Sequence, residues 1–124
     1  MKMSTPYEAI GQDTLYAVID RFYYYVEADT RINHLFPGDF EETARKQKQF
    51  LTQFLGGPAL YTEEHGHPML RMRHLSFRIT PFERDAWVEN MTRALNDFEM
   101  NSELRSFILQ RLEMTAAHMV NTED

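Results

Sequence analysis

Residues 54–74 read FLGGPALYTEEHGHPMLRMRH, and this stretch decides the fold. Gly56, Gly57 and Pro58 end a helix, because glycine takes a left-handed C-terminal cap without a Cβ clash and proline cannot continue the hydrogen-bond ladder. A polar loop follows, carrying Tyr61, His65 and His67; His67-Pro68 then opens a short helix that ends in Arg71-Met72-Arg73-His74. The connection from Gly56 to Pro68 exceeds the roughly two to eight residues usual between the helices of a bundle. A long connection loaded with histidine, arginine and tyrosine belongs more often to a site than to a spacer.

Outward from this stretch the pattern is helical. Thr5 and Pro6 form a cap and first-turn pair for a very short helix stopped at Gly11. From about Asp13 to Glu27, Leu15, Val18, Ile19, Phe22 and Val26 recur at helical steps, one face of an amphipathic helix. INHLFPGD turns at Pro37-Gly38. Asp39 caps the next helix, with Glu42 as its capping-box partner, and that helix runs to about Leu55. Downstream, Thr80-Pro81-Phe82-Glu83 is a start signature: cap, first-position proline, third-position glutamate. Trp87, Met91, Ala94, Leu95 and Phe98 carry that helix. Asn101 or Ser102 starts the last, with Leu104, Phe107, Ile108, Leu112, Thr115 and Met119 facing inward. No run alternates with a two-residue period, so the chain is expected to be all-α, one domain over residues 1–124.

Composition narrows the chemistry. With no cysteine, disulfides, iron–sulfur clusters and zinc–thiolate sites are excluded. A formal net charge of −6 argues against a nucleic-acid partner, which calls for a basic face. The N-terminus lacks the apolar core of a signal peptide, and no run nears the roughly 20 apolar residues of a membrane span. The expected location is the cytoplasm, away from membranes. Nine Phe, six Tyr and eight Met would fill an irregular pocket well, and an ordinary core equally well.

Several residues could carry chemistry. The inward stripe of the second long helix reads Phe40, Thr43, Gln47, Phe50, Leu51, Phe54, with Thr43 and Gln47 stacked four residues apart on an otherwise apolar face. Inward polar groups need partners. The pair either bonds to nearby backbone at the stripe's edge or forms a small polar pocket floored by Phe50 and Phe54. Tyr23 points inward or along the boundary of its helix, whereas Tyr24 and Tyr25 point elsewhere. Trp87, the sole tryptophan, is either core packing or a donor-only indole suited to an anionic ligand atom. His74 on a short helix, with cationic and phenolic donors nearby, suits an axial iron ligand beside two carboxylates, features that a heme presents. His65, His67 and His74 do not have zinc-site spacing, and His65-Gly66-His67 reads as solvated loop. His34 and His118 read as surface residues.

PYEAIG at 6–11, RFYYYV at 21–26, LFP at 35–37, ETARKQKQFLTQFLGGPALYTEEHGHPMLRMRH at 42–74, the DAW containing Trp87, and RLEMTAAHMVN at 111–121 together resemble the second group of truncated hemoglobins. The resemblance runs from near Pro6 to near Asn121. It implies a two-over-two helical sandwich around one heme b. It implies His74 as the proximal histidine on iron, Tyr23 and Trp87 as distal hydrogen-bond donors, and Thr43 and Gln47 as pocket-lining residues of the distal helix. It further implies Phe36 packed on the heme, Lys46, Arg73 and Tyr61 toward the propionates, and Phe22, Phe50 and Leu51 as heme-contacting walls. The chain departs from the family pattern in having a single glycine, Gly11, at the first turn. Phe36 also lacks the hydroxyl that some relatives place there.

The implied function is binding of oxygen and other diatomic ligands, nitric oxide and carbon monoxide, at a five-coordinate iron. Donors from Trp87 and Tyr23 would slow oxygen release, which suits redox chemistry better than oxygen transport. The alternative is a redox enzyme that detoxifies nitric oxide or peroxide with an external reductase, as a monomer or homodimer. A rival of another class is a helical interaction module without heme, in which Trp87 and Tyr23 are core.

Overall fold

Helix boundaries fall where capping chemistry puts them. The computed structural model of the protein describes residues 4–36, 38–69 and 77–122. Helix α1 spans Pro6–Ile10, and the Thr5 side chain accepts from the Glu8 N–H at 3.1 Å. Gly11, at φ +83°, ends α1 and starts α2, Gln12–Glu27. A side chain would strain that backbone, so one glycine serves both stop and start. A 3₁₀ turn at Asn33–Leu35 leads to α3, Phe40–Phe54, capped by the Asp39 carboxylate on the Glu41 N–H at 2.8 Å. Glu42 does not complete the expected capping box; its carboxylate turns to Arg45 one turn on, at 2.7 Å.

The end of α3 is a Schellman turn. The Gly56 N–H donates to the Gln53 carbonyl at 3.1 Å and the Gly57 N–H to the Thr52 carbonyl at 2.8 Å. The polar loop expected next is instead a helix, α4, Leu60–His65. Ala59 offers no capping side chain. The cap comes from the preceding helix: Gln53 accepts from the Thr62 N–H at 3.0 Å and donates to the Thr62 hydroxyl at 2.7 Å. His67, Pro68 and Met69 are not helical, and the rest of the short helix expected there lies outside the described residues.

Helix α5, Pro81–Asn96, starts with the full Thr80–Glu83 capping box, and α6, Ser102–Met119, starts at Asn101, whose side chain accepts from two N–H groups of the first turn. No strand occurs among the described residues. Helix α2 packs on both α3 and α5, α5 packs on α6, and α4 packs on α3. The pair α2/α3 thus lies over the pair α5/α6, a two-over-two sandwich, and one buried apolar cluster joins them through Val18, Ile19, Phe22, Leu51, Met91, Leu95 and Ile108. Phe107 departs from its expected inward place and is 43% exposed, its ring covered in part by the Arg111 guanidinium. No described helix is long and apolar enough to cross a membrane.

Candidate functional site

The sandwich leaves a hollow to which α2, α3, α4, α5 and α6 each contribute a wall. This cavity of about 420 Å³ lies within the size range of small-molecule and cofactor pockets. From α2 it takes Tyr23, and from the 3₁₀ region Ile32, Leu35 and Phe36. Helix α3 contributes Thr43, Lys46, Gln47 and Phe50 at helical spacing, and α4 contributes Tyr61. Trp87 comes from α5. Eight of the ten described residues that the sequence nominated for one site therefore converge on one cavity, although they come from five segments. His74 and Arg73 lie outside the described residues. Phe22 and Leu51, expected as walls, do not line the hollow; both are buried behind it.

Other lining residues were not legible as such: Phe77 and Ile79 before α5, Glu83 and Arg84 on its first turns, and Leu112, Thr115, Ala116 and Met119 on α6. The α6 group has the spacing of an inward helix face, which sequence reads only as core. The stretch 77–79 is held from the far end of the chain: Asn121 donates to the Phe77 carbonyl at 2.8 Å and accepts from the Ile79 N–H at 3.0 Å.

Phe22 is fully buried and stands edge-on to both Tyr23, at 4.9 Å between ring centroids, and Trp87, at 5.1 Å. It spaces the phenol of α2 from the indole of α5. Tyr23 is only 6% exposed, and burial pushes its phenol pKa above the ordinary value. The group stays protonated, which leaves its O–H free to donate. Among the described residues, neither the Tyr23 hydroxyl, the Trp87 N–H nor the Gln47 amide has a hydrogen-bond partner. Thr43 does: its hydroxyl donates to the Asp39 carbonyl at 3.1 Å. The even choice that the sequence left for Thr43 and Gln47 thus splits, since Thr43 bonds to backbone and Gln47 keeps its amide.

At the rim, Lys46 is exposed and makes no ion pair among the described residues, whereas Arg84 is held by Asp85 at 3.0 Å. Tyr61 packs edge-on to Phe50 at 5.9 Å and against the His65 ring at 4.8 Å. His65 is not part of a solvated loop: it closes α4, with Nε2 at 2.8 Å from the Gln49 side-chain oxygen and 2.7 Å from Glu64. The described residues hold no group of metal-ligating side chains of the kind that binds an ion unaided.

Walls of aromatic and aliphatic side chains, partnerless neutral donors inside and a cation at the rim suit a flat apolar group with an anionic edge and a small polar ligand on one face. Heme has that chemistry. Residues 5–121 match the family model of the bacterial-like globins. The chain is 55% identical, over 95% of its length and 89% of the relative's, to the group 2 truncated hemoglobin YjbI of Bacillus subtilis. It superposes on the crystal structure of the group II truncated hemoglobin from Bacillus anthracis with a TM-score of 0.97, at 52% identity over 100% of this chain and 96% of that one. Against the X-ray structure of the truncated oxygen-avid haemoglobin from Bacillus subtilis the TM-score is 0.92, at 55% identity over 95% and 100% of the two chains.

Proposed function

Because the chain belongs to the bacterial-like globins, as a group 2 truncated hemoglobin with heme as its cofactor, we propose that it binds oxygen and other diatomic ligands at a five-coordinate iron held by His74, with Trp87 and Tyr23 as the distal donors. The observation that carries this reading is the pair of cavity-lining donors without partners. An indole N–H and a phenol O–H that line a largely apolar cavity without a protein partner are two donors available to whatever fills it. Bound heme supplies an iron with one open coordination position, where a small ligand can accept both bonds.

The remaining roles follow from the walls. Phe36 and Phe50 offer ring faces to a flat macrocycle, and Gln47 adds an amide beside the donors. Lys46 and Tyr61 would meet the propionates from the cavity wall, and the family resemblance adds Arg73 to them. Neither distal donor works as a base: indole has no acceptor and the Tyr23 phenol is held neutral. Their action on a ligand is to hold it and to slow its departure. The likeness to a haemoglobin described as oxygen-avid supports tight holding of oxygen. Two donors on one ligand favour chemistry on a held molecule, such as nitric oxide oxidation fed by an external reductase, over carriage and delivery.

Absorption spectra of the purified protein, oxidised, reduced, and reduced under carbon monoxide, test the reading. An intense band near the violet edge that shifts on reduction and again with carbon monoxide is expected. Absence of that band after heme is added would refute it.

A further inference from the structure

The two proposed donors sit on different helices, so their separation depends on how α2 and α5 are fastened. Asn90, one turn after Trp87, is a buried polar side chain, 1% exposed, in the middle of α5. Its amide donates to the Asp29 carboxylate at 2.8 Å and to the Ala86 carbonyl, immediately before Trp87, at 2.9 Å. Asp29 follows the end of α2 and is also gripped by Arg31, at 2.7 Å; Arg31 reaches on to Glu89 of α5 at 3.1 Å. A closed ring of Asp29, Arg31, Glu89 and Asn90 thus ties the end of the Tyr23 helix to the turn of α5 that carries Trp87. None of the four lines the main cavity.

We propose that Asn90 and Asp29 are positioning residues for Trp87, setting the indole's place over the ligand site by fixing the α2–α5 crossing. Phe22 alone cannot set it. An edge-on ring contact tolerates sliding and rotation, whereas the Asn90 amide makes two directional bonds, one to each side of the crossing. A hydrogen bond weakens steeply with misalignment, so a small rotation of α5 is read out at the ligand. The inference rests on the ligand-binding reading only for its consequence; the positioning itself concerns this chain alone.

The test uses the intact protein and Asn90→Ala, Asp29→Ala and Asp29→Asn, with Ile108→Val as a control that loosens the core on α6 outside the cavity. Ultraviolet resonance Raman spectra of the sole tryptophan report its ring torsion and N–H bonding, and the C–O stretch of the carbon monoxide complex reports donors near the ligand. Both alanine variants should shift the indole bands and the C–O stretch, and speed oxygen release roughly three- to tenfold, as for a displaced rather than deleted donor. Asp29→Asn keeps an acceptor for Asn90 and should restore most of each signal, while Ile108→Val should leave them unmoved. Indole bands in Asp29→Ala and Asn90→Ala identical to the parent's, with stability alone reduced, would overturn the proposal. If Asn90→Ala fails to fold, Asp29→Ala decides alone. Shifted indole bands with an unmoved C–O stretch would uphold the positioning and refute Trp87 as a ligand donor.

Discussion

Replacing Trp87 by phenylalanine removes the one indole N–H of the chain and keeps an aromatic ring against Phe22, now 5.1 Å from the indole. Trp87 is only half-buried, so the smaller ring costs the fold little beside what is lost at the ligand. A hydrogen bond to a charged or strongly polar acceptor is worth about 1.5–3 kcal/mol. At about 1.4 kcal/mol per factor of ten, its loss should raise the oxygen dissociation rate roughly ten- to hundredfold. The Tyr23 phenol, on the other side of Phe22, can take up part of the load, which places the single variant toward the lower end. The double variant with Tyr23→Phe should then exceed the product of the single effects. The assay is stopped-flow displacement of oxygen by carbon monoxide. A rate for Trp87→Phe within about threefold of the parent would refute the reasoning, because it leaves too little energy for a direct bond.

Other expectations test the frame around the site. His74→Ala should abolish stable heme binding in a heme titration followed by absorbance; retained ordinary ligation would point to another histidine. Gly57→Ala should lower stability by about 1–3 kcal/mol in urea unfolding. An added Cβ there would stand 2.7 Å from the Tyr7 ring and 2.9 Å from the Thr52 carbonyl oxygen, and unchanged stability would show that α1 moves freely aside. The Arg31 guanidinium, and after it the Asn90 amide, hold the Asp29 carboxyl well below the usual carboxylate range. A depressed folded-state pKa gives stability that is complete above the unfolded value, about 3.9, and is lost as pH falls toward the folded one. Asp29→Asn lacks that titration, so the gap between parent and variant in denaturant midpoint should narrow as pH drops from about 5 toward 2. A gap that stays constant or widens would remove Asp29 from the acid response.

Much of the molecule is legible because its signals are local. Thr80-Pro81-Glu83, Asn101, Thr5-Pro6 and Gly56-Gly57 mark helix ends through side chains and glycines within a turn of the boundary, and the structure uses each of them there. The polar interruption of the α3 stripe, an inward Tyr23 and a lone tryptophan on an apolar face also announce themselves through helical spacing alone. Where the local reading missed α4, the deciding partner lay outside the helix's own residues. Helix α4 depends on Gln53 for its cap, nine residues before Thr62, so its own residues read as loop. Glu42 had two candidate partners one turn apart, and an Arg45 guanidinium prevailed over a backbone N–H.

By itself, then, the sequence determined the ends of α1, α2, α3, α5 and α6, most of their inward faces and most of the residues that share one cavity, since capping and periodicity act over a few residues. Tertiary structure alone decided that α6 and the 77–79 stretch complete the cavity wall, that Phe22 is a spacer behind it, and that Asn90 of α5 bonds to Asp29 beyond the end of α2. Those roles arise from which helix faces meet, and a crossing between α2 and α5 brings together Asp29 and Asn90, 61 residues apart, whose pairing leaves no periodic trace in the chain.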